Sequence, residues 1–263
     1  MTHRGYYFIS LAGGVLERFF AKDWNGGPFI LFGPDHLVII AFFVLLNLSF
    51  FWLHKIKSER FRFRLRLGLA ISLLLFEAVW QTWSISVGKW NIRENLPLHM
   101  CSLFLFINSI MVLTRSKTLY ELSYCLGIGS GLQAFLTPDP GPYGLWHFVA
   151  VQTIFGHGML VTLTIYMTIV EGFRPRWSSI PKTYLFGVTA LLFSYLVNRL
   201  LGSNYIFTLH KPAAASLLDL LGPYPWYLLS MAGVALVIML LLVAPWEIWG
   251  MIHRNRSKMV LTT

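Results

Sequence analysis

A histidine and a cysteine stand two residues apart in LPLHMCSLFLF, residues 96–106, at the head of a segment otherwise apolar enough to enter a bilayer. An ionisable group in hydrocarbon costs several kcal/mol unless it is paired or hydrated, so each such group is a candidate for function. The same rule singles out Glu77 in LLLFEAVWQTW, with Gln81 one turn on and Ser84 on the same face, and His157 in QTIFGHGMLV between Gly156 and Gly158. The two glycines would let a backbone or a substrate approach His157. His36 in GPDHLVII and Gln133 in GLQAFLT complete the polar set. A thiol, imidazoles and a carboxylate could perform nucleophilic acyl transfer with general-base help, Glu77 orienting a histidine.

Spacing limits the combinations. Pro97 suits the first turn of a helix, which puts His99 and Cys101 near its N-terminus, where the free N–H groups favour thiolate and would stabilise an oxyanion. Residues two apart on a helix point about 200° from each other, so His99 and Cys101 cannot form a dyad on a regular helix. A base for Cys101 must come from another segment, with His36 or His157 the candidates. His99 itself could instead activate an acceptor hydroxyl directly. The plainer reading of Cys101 is packing, and for Cys125, within an apolar segment, filler is the expected role.

The elements that would hold these residues are membrane helices. Of 263 residues 56% are hydrophobic and only 12% charged, with a mean hydropathy of +0.62. A crossing needs about 20 apolar residues for about 30 Å of hydrocarbon. Seven segments qualify: 33–53, 66–88, 97–114, 119–136, 146–170, 183–201 and 226–250. Lys and Arg concentrate in alternate connections, 54–65, 114–118, 171–182 and 252–258, which predicts an outside N-terminus and a cytoplasmic C-terminus. The expected architecture is an all-α polytopic bundle with three parts: an N-terminal interfacial segment 1–32, a transmembrane bundle 33–251 and a basic cytoplasmic tail 252–263. In the first part Phe8, Leu11, Leu16 and Phe19-Phe20 form the apolar side of a short helix, and Glu17, Arg18, Lys22 and Asp23 argue against a cleaved signal. The net charge of +10 then serves topology and anionic lipid head groups at the cytoplasmic face. It forms no basic, aromatic-interleaved patch of the kind nucleic acid requires.

The opposite connections read differently. TPDPGPYGLW (137–146) and GSNYIFTLHKPAAASLLDLLGPYPWY (202–227) are rich in Pro, Gly and aromatics, so they should pack on the bundle rather than swing free. The stretch AAASLLDLLG would make a re-entrant or interfacial helix over the outer mouth. Asn204 and Lys211 in this loop, and Arg199 at the end of the sixth segment, could contact a phosphate or carboxylate, although a snorkelling lysine is the plain alternative. In GIGSGLQ, Gly127 and Gly131 carry the small-xxx-small spacing of helix packing, and no strand precedes them as a nucleotide loop would need.

Together, LPLHMCS, the QAFLTPD run, FGHG and NY...KP...SLLDLLGPYPWY resemble the YwaF-like family of bacterial integral membrane proteins, over about residues 36–249. That family is distantly related to the eukaryotic transmembrane protein 164 acyltransferases, which move fatty acyl chains into ether phospholipids through a cysteine. The resemblance implies a multi-pass protein of the bacterial plasma membrane and acyl transfer, or acyl-ester hydrolysis, on a membrane lipid, with no cofactor. His99 after Pro97 matches the motif. The relatives' cysteine is expected where this chain has Leu98, so either Cys101 takes over the role or the chemistry proceeds without a thiol.

Two other readings compete. Glu77 and His157 fall at similar depth and could form a midplane site of a transporter or small-molecule-binding protein. His36, His99, His157 and Glu77 could ligate zinc or iron, although no two have the i, i+4 spacing of a metal motif.

Overall fold

The computed structural model describes residues 14–212 and 216–260. Among them every regular element is helical. In chain order these are α1 (Pro34–Leu53), α2 (Glu59–Ser86), α3 (Met100–Thr114), α4 (Lys117–Leu122), a π-helical turn (Ser123–Gly127), α5 (Ile128–Leu136), α6 (Phe148–Ile169), α7 (Ser179–Leu201), two short 3-10 turns (Tyr205–Phe207 and Leu217–Leu221) and α8 (Trp226–Val260). Four helices are long and apolar enough to cross a membrane: α1, α6, α7 and residues 226–253 of α8; α3 is a shorter apolar helix.

The sequence dictates most of the boundaries. Pro34 starts α1, where a missing N–H costs nothing. α7 ends at Gly202, whose φ of 65° closes the last turn in the left-handed conformation glycine tolerates. α2 begins earlier than expected: Ser58 accepts from the Phe61 N–H and caps a helix that already contains Arg60, Arg62, Arg64 and Arg66. The expected basic loop 54–65 is therefore half helix. The expected segment 119–136 is helical throughout, with a π-helical turn between α4 and α5. Phe8 and Leu11 lie outside the described residues. Residues 14–19 are helical, Leu16 is exposed, and Phe20 meets the Phe148 ring at 5.1 Å.

α6 is the axis of the bundle, buried along most of its length while the other long helices show apolar sides. In a lipid environment such exposed faces are the expected surface. Phe43 and Phe50 of α1, Phe104 and Met111 of α3, Phe135 of α5 and Leu163 and Met167 of α6 make the shared core. At one end, here the basic end, α6 finishes in a buried ion cluster. Glu171 meets Arg66 at 2.6 Å and Arg115 at 3.0 Å, and Tyr166 donates to it at 3.0 Å. Nearby, Lys182 of α7 pairs with Glu121 of α4.

The other end is covered by packed loops. His147 sends Nε2 to the Ala21 carbonyl at 2.8 Å, and Trp83 donates to the Phe20 carbonyl at 2.8 Å. Asn198 accepts from the Tyr205 N–H at 2.8 Å, and Tyr205 donates its hydroxyl to the Ile92 carbonyl at 2.6 Å while accepting from Leu96 N–H. The segment held there includes Ile206 and Phe207, both at φ 54°, a conformation that a β-branched residue adopts only when its surroundings enforce it. The expected helix over AAASLLDLLG is, in its described part, the 3-10 turn Leu217–Leu221 with a Ser216–Asp219 capping box.

Candidate active site

α3 is where chemistry-bearing residues and helix geometry coincide. Pro97 does not begin the helix, as expected, but lies in the turn before it; His99 is the N-cap and Met100 the first helical residue. The first intrahelical bond is from Leu103 N–H to the His99 carbonyl at 3.0 Å. The N–H groups of Met100, Cys101 and Ser102 therefore have no intrahelical acceptor. Cys101 is half-buried and sits in this first turn, near enough to His157 and Ser130 for both to act on its thiol electrostatically.

His157 comes from the middle of α6. Its Nδ1 lies 2.6 Å from the Thr153 carbonyl one turn back. A carbonyl only accepts, so Nδ1 carries the proton and Nε2 keeps its lone pair for a proton donor such as the thiol. Ser130, on α5 just beyond the π-helical turn, also donates to the Gly127 carbonyl at 3.3 Å. Gly131 beside it allows close packing on α6: a Cβ there would stand 3.2 Å from Val161 and 3.4 Å from the His157 carbonyl. The packing role expected for Gly127 and Gly131 is what the two show, with Gly127 against the Phe104 ring. On the other side of His157, a Cβ at Gly156 would meet nothing within 4 Å, whereas one at Gly158 would run into Phe43 at 2.6 Å. Open space thus flanks His157 on the Gly156 side, and a separate apolar cavity lies beside Gly158, lined among others by Phe43, Leu132 and Val161.

The remaining candidates are placed elsewhere. His36 is buried, with Nδ1 accepting from Phe32 N–H at 3.2 Å and Nε2 donating to the Phe135 carbonyl at 3.3 Å. Both ring nitrogens are used, so His36 is a tie between α1 and α5 and has no lone pair for Cys101. Glu77 accepts from Gln81 at 2.7 Å, and His157 is held at Nδ1 by the Thr153 carbonyl. Gln81 also reaches the Asn95 carbonyl at 2.9 Å and Trp90 at 2.8 Å, so it braces the loop before α3. His99 accepts at Nδ1 from Ile206 N–H at 3.3 Å and packs on the Tyr205 and Phe207 rings. Its Nε2 has no partner among the described residues and is not sealed from solvent. Asn204 ties its own loop to His210, and Lys211 lies over the Tyr227 ring at 5.6 Å. Arg199 and Gln133 are exposed. Cys125 is core. Among the described residues no three of His, Cys, Asp and Glu gather to hold a metal; the four proposed ligands are dispersed to different partners.

Sequence reasoning missed Ser130 and Thr153. Ser130 was hidden in a glycine-rich run that reads as packing, and Thr153 acts through a carbonyl that any residue would supply.

A profile of the TMEM164 family matches residues 31–243, most of the chain and all the helices just described up to the middle of α8. The chain belongs to the TMEM164 family. No curated protein and no solved structure matches it. Within this family member, the matched region contains the thiol, the imidazole, Ser130 and the loops that close over them.

Proposed function

We propose that this TMEM164-family protein is a membrane acyltransferase that carries the acyl group of a lipid ester on Cys101. The observation that supports it most is the relay Thr153 carbonyl, His157, Cys101, set at a helix N-terminus with unpaired N–H groups. Nucleophile, base and orienting group stand in the order a cysteine acyl-transfer site requires.

In the first half-reaction the Cys101 thiol gives its proton to His157 Nε2 as Sγ attacks the ester carbonyl carbon. The negative charge moves to the carbonyl oxygen, where N–H groups of the first turn of α3 hold it. The C–O bond to the lipid then breaks, and the departing oxygen takes the proton from His157, leaving a thioester. In the second half an acceptor hydroxyl gives its proton to His157 and attacks the thioester; the C–S bond breaks and the proton returns to sulfur. With water as acceptor the outcome is hydrolysis. His99 Nε2–H, free at the mouth, is placed to hydrogen-bond the lipid's polar part.

The same reading takes the chain as seven spans in the bacterial plasma membrane. The basic end, with Arg62, Lys117 and Arg176, faces the cytoplasm and anionic head groups, and the covered end faces outward. Transport through Glu77 and His157 has less support, since Glu77 is bonded to Gln81 and His157 to the Thr153 carbonyl.

The test is turnover in nanodiscs, with the full chain, a phospholipid labelled in its acyl chains and a lysophospholipid acceptor. Wild type is expected to transfer label, and Cys101→Ala to lose it by at least about 100-fold with its circular dichroism unchanged. Undiminished transfer by Cys101→Ala would remove the thioester from the account.

A further inference from the structure

Two turns below the Cys101–Ser130 contact, the same seam between α3 and the α4–α5 segment contains a second polar pair. Asn108 is seven residues after Cys101, and Ser123 is seven before Ser130. Extended one turn further, the antiparallel register that sets Cys101 near Ser130 and Phe104 against Gly127 would bring Asn108 opposite Ser123. Both side chains are fully buried, at 0% exposure. Asn108 donates Nδ2 to the Leu160 carbonyl at 2.9 Å, which fixes its amide, yet its Oδ1 has no partner. Ser123 likewise has a hydroxyl with no partner, although a serine in a regular helix would return it to the carbonyl four residues back. It opens the π-helical turn, a feature that recurs at functional positions.

An acceptor and a hydroxyl are therefore left open on facing elements, where an orphaned polar atom is destabilising. Ser84 and Ser194 also bury open hydroxyls, but neither has a counterpart across its interface in a known register. We propose that Asn108 and Ser123 form a binding site for one internal water. The water donates to Asn108 Oδ1, and Ser123 Oγ shares its second bond as donor or acceptor. It is a neutral, two-faced ligand, which suits a site with no charge and with Phe104 and Met111 close by on α3. Its consequence is positional: it links α3, which presents Cys101, to the turn that sets the rotation of Ser130. The site stands whether or not the thiol carries acyl groups.

A crystal structure of the full chain in a lipid mesophase, at a resolution that shows ordered waters, tests it directly. The expected result is a water at about 2.7–3.2 Å from both Asn108 Oδ1 and Ser123 Oγ. A direct bond from Ser123 to Asn108, or an empty gap, would overturn it. Thermal unfolding gives a second measurement. Ser123→Ala is expected to lower Tm by about 3 °C, and adding Ser123→Ala to Asn108→Leu to lower it no further. Losses that simply add would contradict a shared water. Should Asn108→Leu fail to fold, the structure of Ser123→Ala decides the matter: the water must be lost or displaced.

Discussion

His157 and Glu171 are carried by one stretch of chain, fourteen residues apart along α6 and its end, and both are buried ionisable groups in an apolar bundle. Their surroundings are opposite. Glu171 is surrounded by cations and a donor, with Arg66 and Tyr166 on Oε1 and Arg115 3.0 Å from Oε2. His157 has one nitrogen fixed by a carbonyl and the other left with its lone pair, near a thiol and next to open space at Gly156. A buried polar group whose capacity is exhausted by its neighbours is a fastener. One with a spare lone pair aimed at a nucleophile is a reagent. His36 repeats the lesson within one residue type, since both its nitrogens are consumed by backbone.

Substitutions can break that contrast. His157→Gln should lower acyl transfer by about 100- to 10,000-fold, the usual worth of a positioned general base, with Tm little changed. Turnover assays beside melting curves check it; a large drop in Tm would put His157 among the fasteners. Glu171→Gln should do the reverse. It leaves buried Arg66 without its counter-charge, at a cost of about 3–5 kcal/mol, so Tm falls steeply while turnover per folded molecule stays within about threefold.

How far the sequence could go is clearest at these residues. The apolar runs announced the helices, because lipid demands them, and the two-residue spacing already separated His99 from Cys101. The choice between His36 and His157 was not legible. It depends on the Phe135 carbonyl, 99 residues from His36, and on the Thr153 carbonyl one turn from His157, and backbone groups leave no mark in residue identity. The start of α2 was misplaced for another reason. Arg60, Arg62 and Arg64 read as a loop, but Ser58 caps them into the helix in which Arg66 finds Glu171 at the far end of α6.

Finer substitutions sharpen the comparison. His36→Leu orphans the Phe135 carbonyl and the Phe32 N–H and should cost about 1–3 kcal/mol, seen as a lower Tm with transfer per folded molecule retained. Gly156→Leu should fit without strain, since nothing lies within 4 Å, and improve helix propensity. It would nevertheless fill the space next to His157 and lower kcat/KM by about tenfold, or about 1.4 kcal/mol. Unchanged kcat/KM would mean the substrate approaches from another side. Lys211→Ala is expected to shift stability by no more than about 0.5 kcal/mol in the same melts, as befits a partly exposed lysine over Tyr227.

The most direct measurement is to trap the intermediate. Purified wild-type, Cys101→Ala and His157→Gln proteins would be incubated with labelled phospholipid without acceptor, denatured, and mapped by mass spectrometry before and after hydroxylamine. The account predicts a hydroxylamine-labile acyl group on Cys101 in wild type, far slower to form in His157→Gln and absent in Cys101→Ala. An acyl group on any other residue, or transfer to acceptor with no adduct on Cys101, would contradict it.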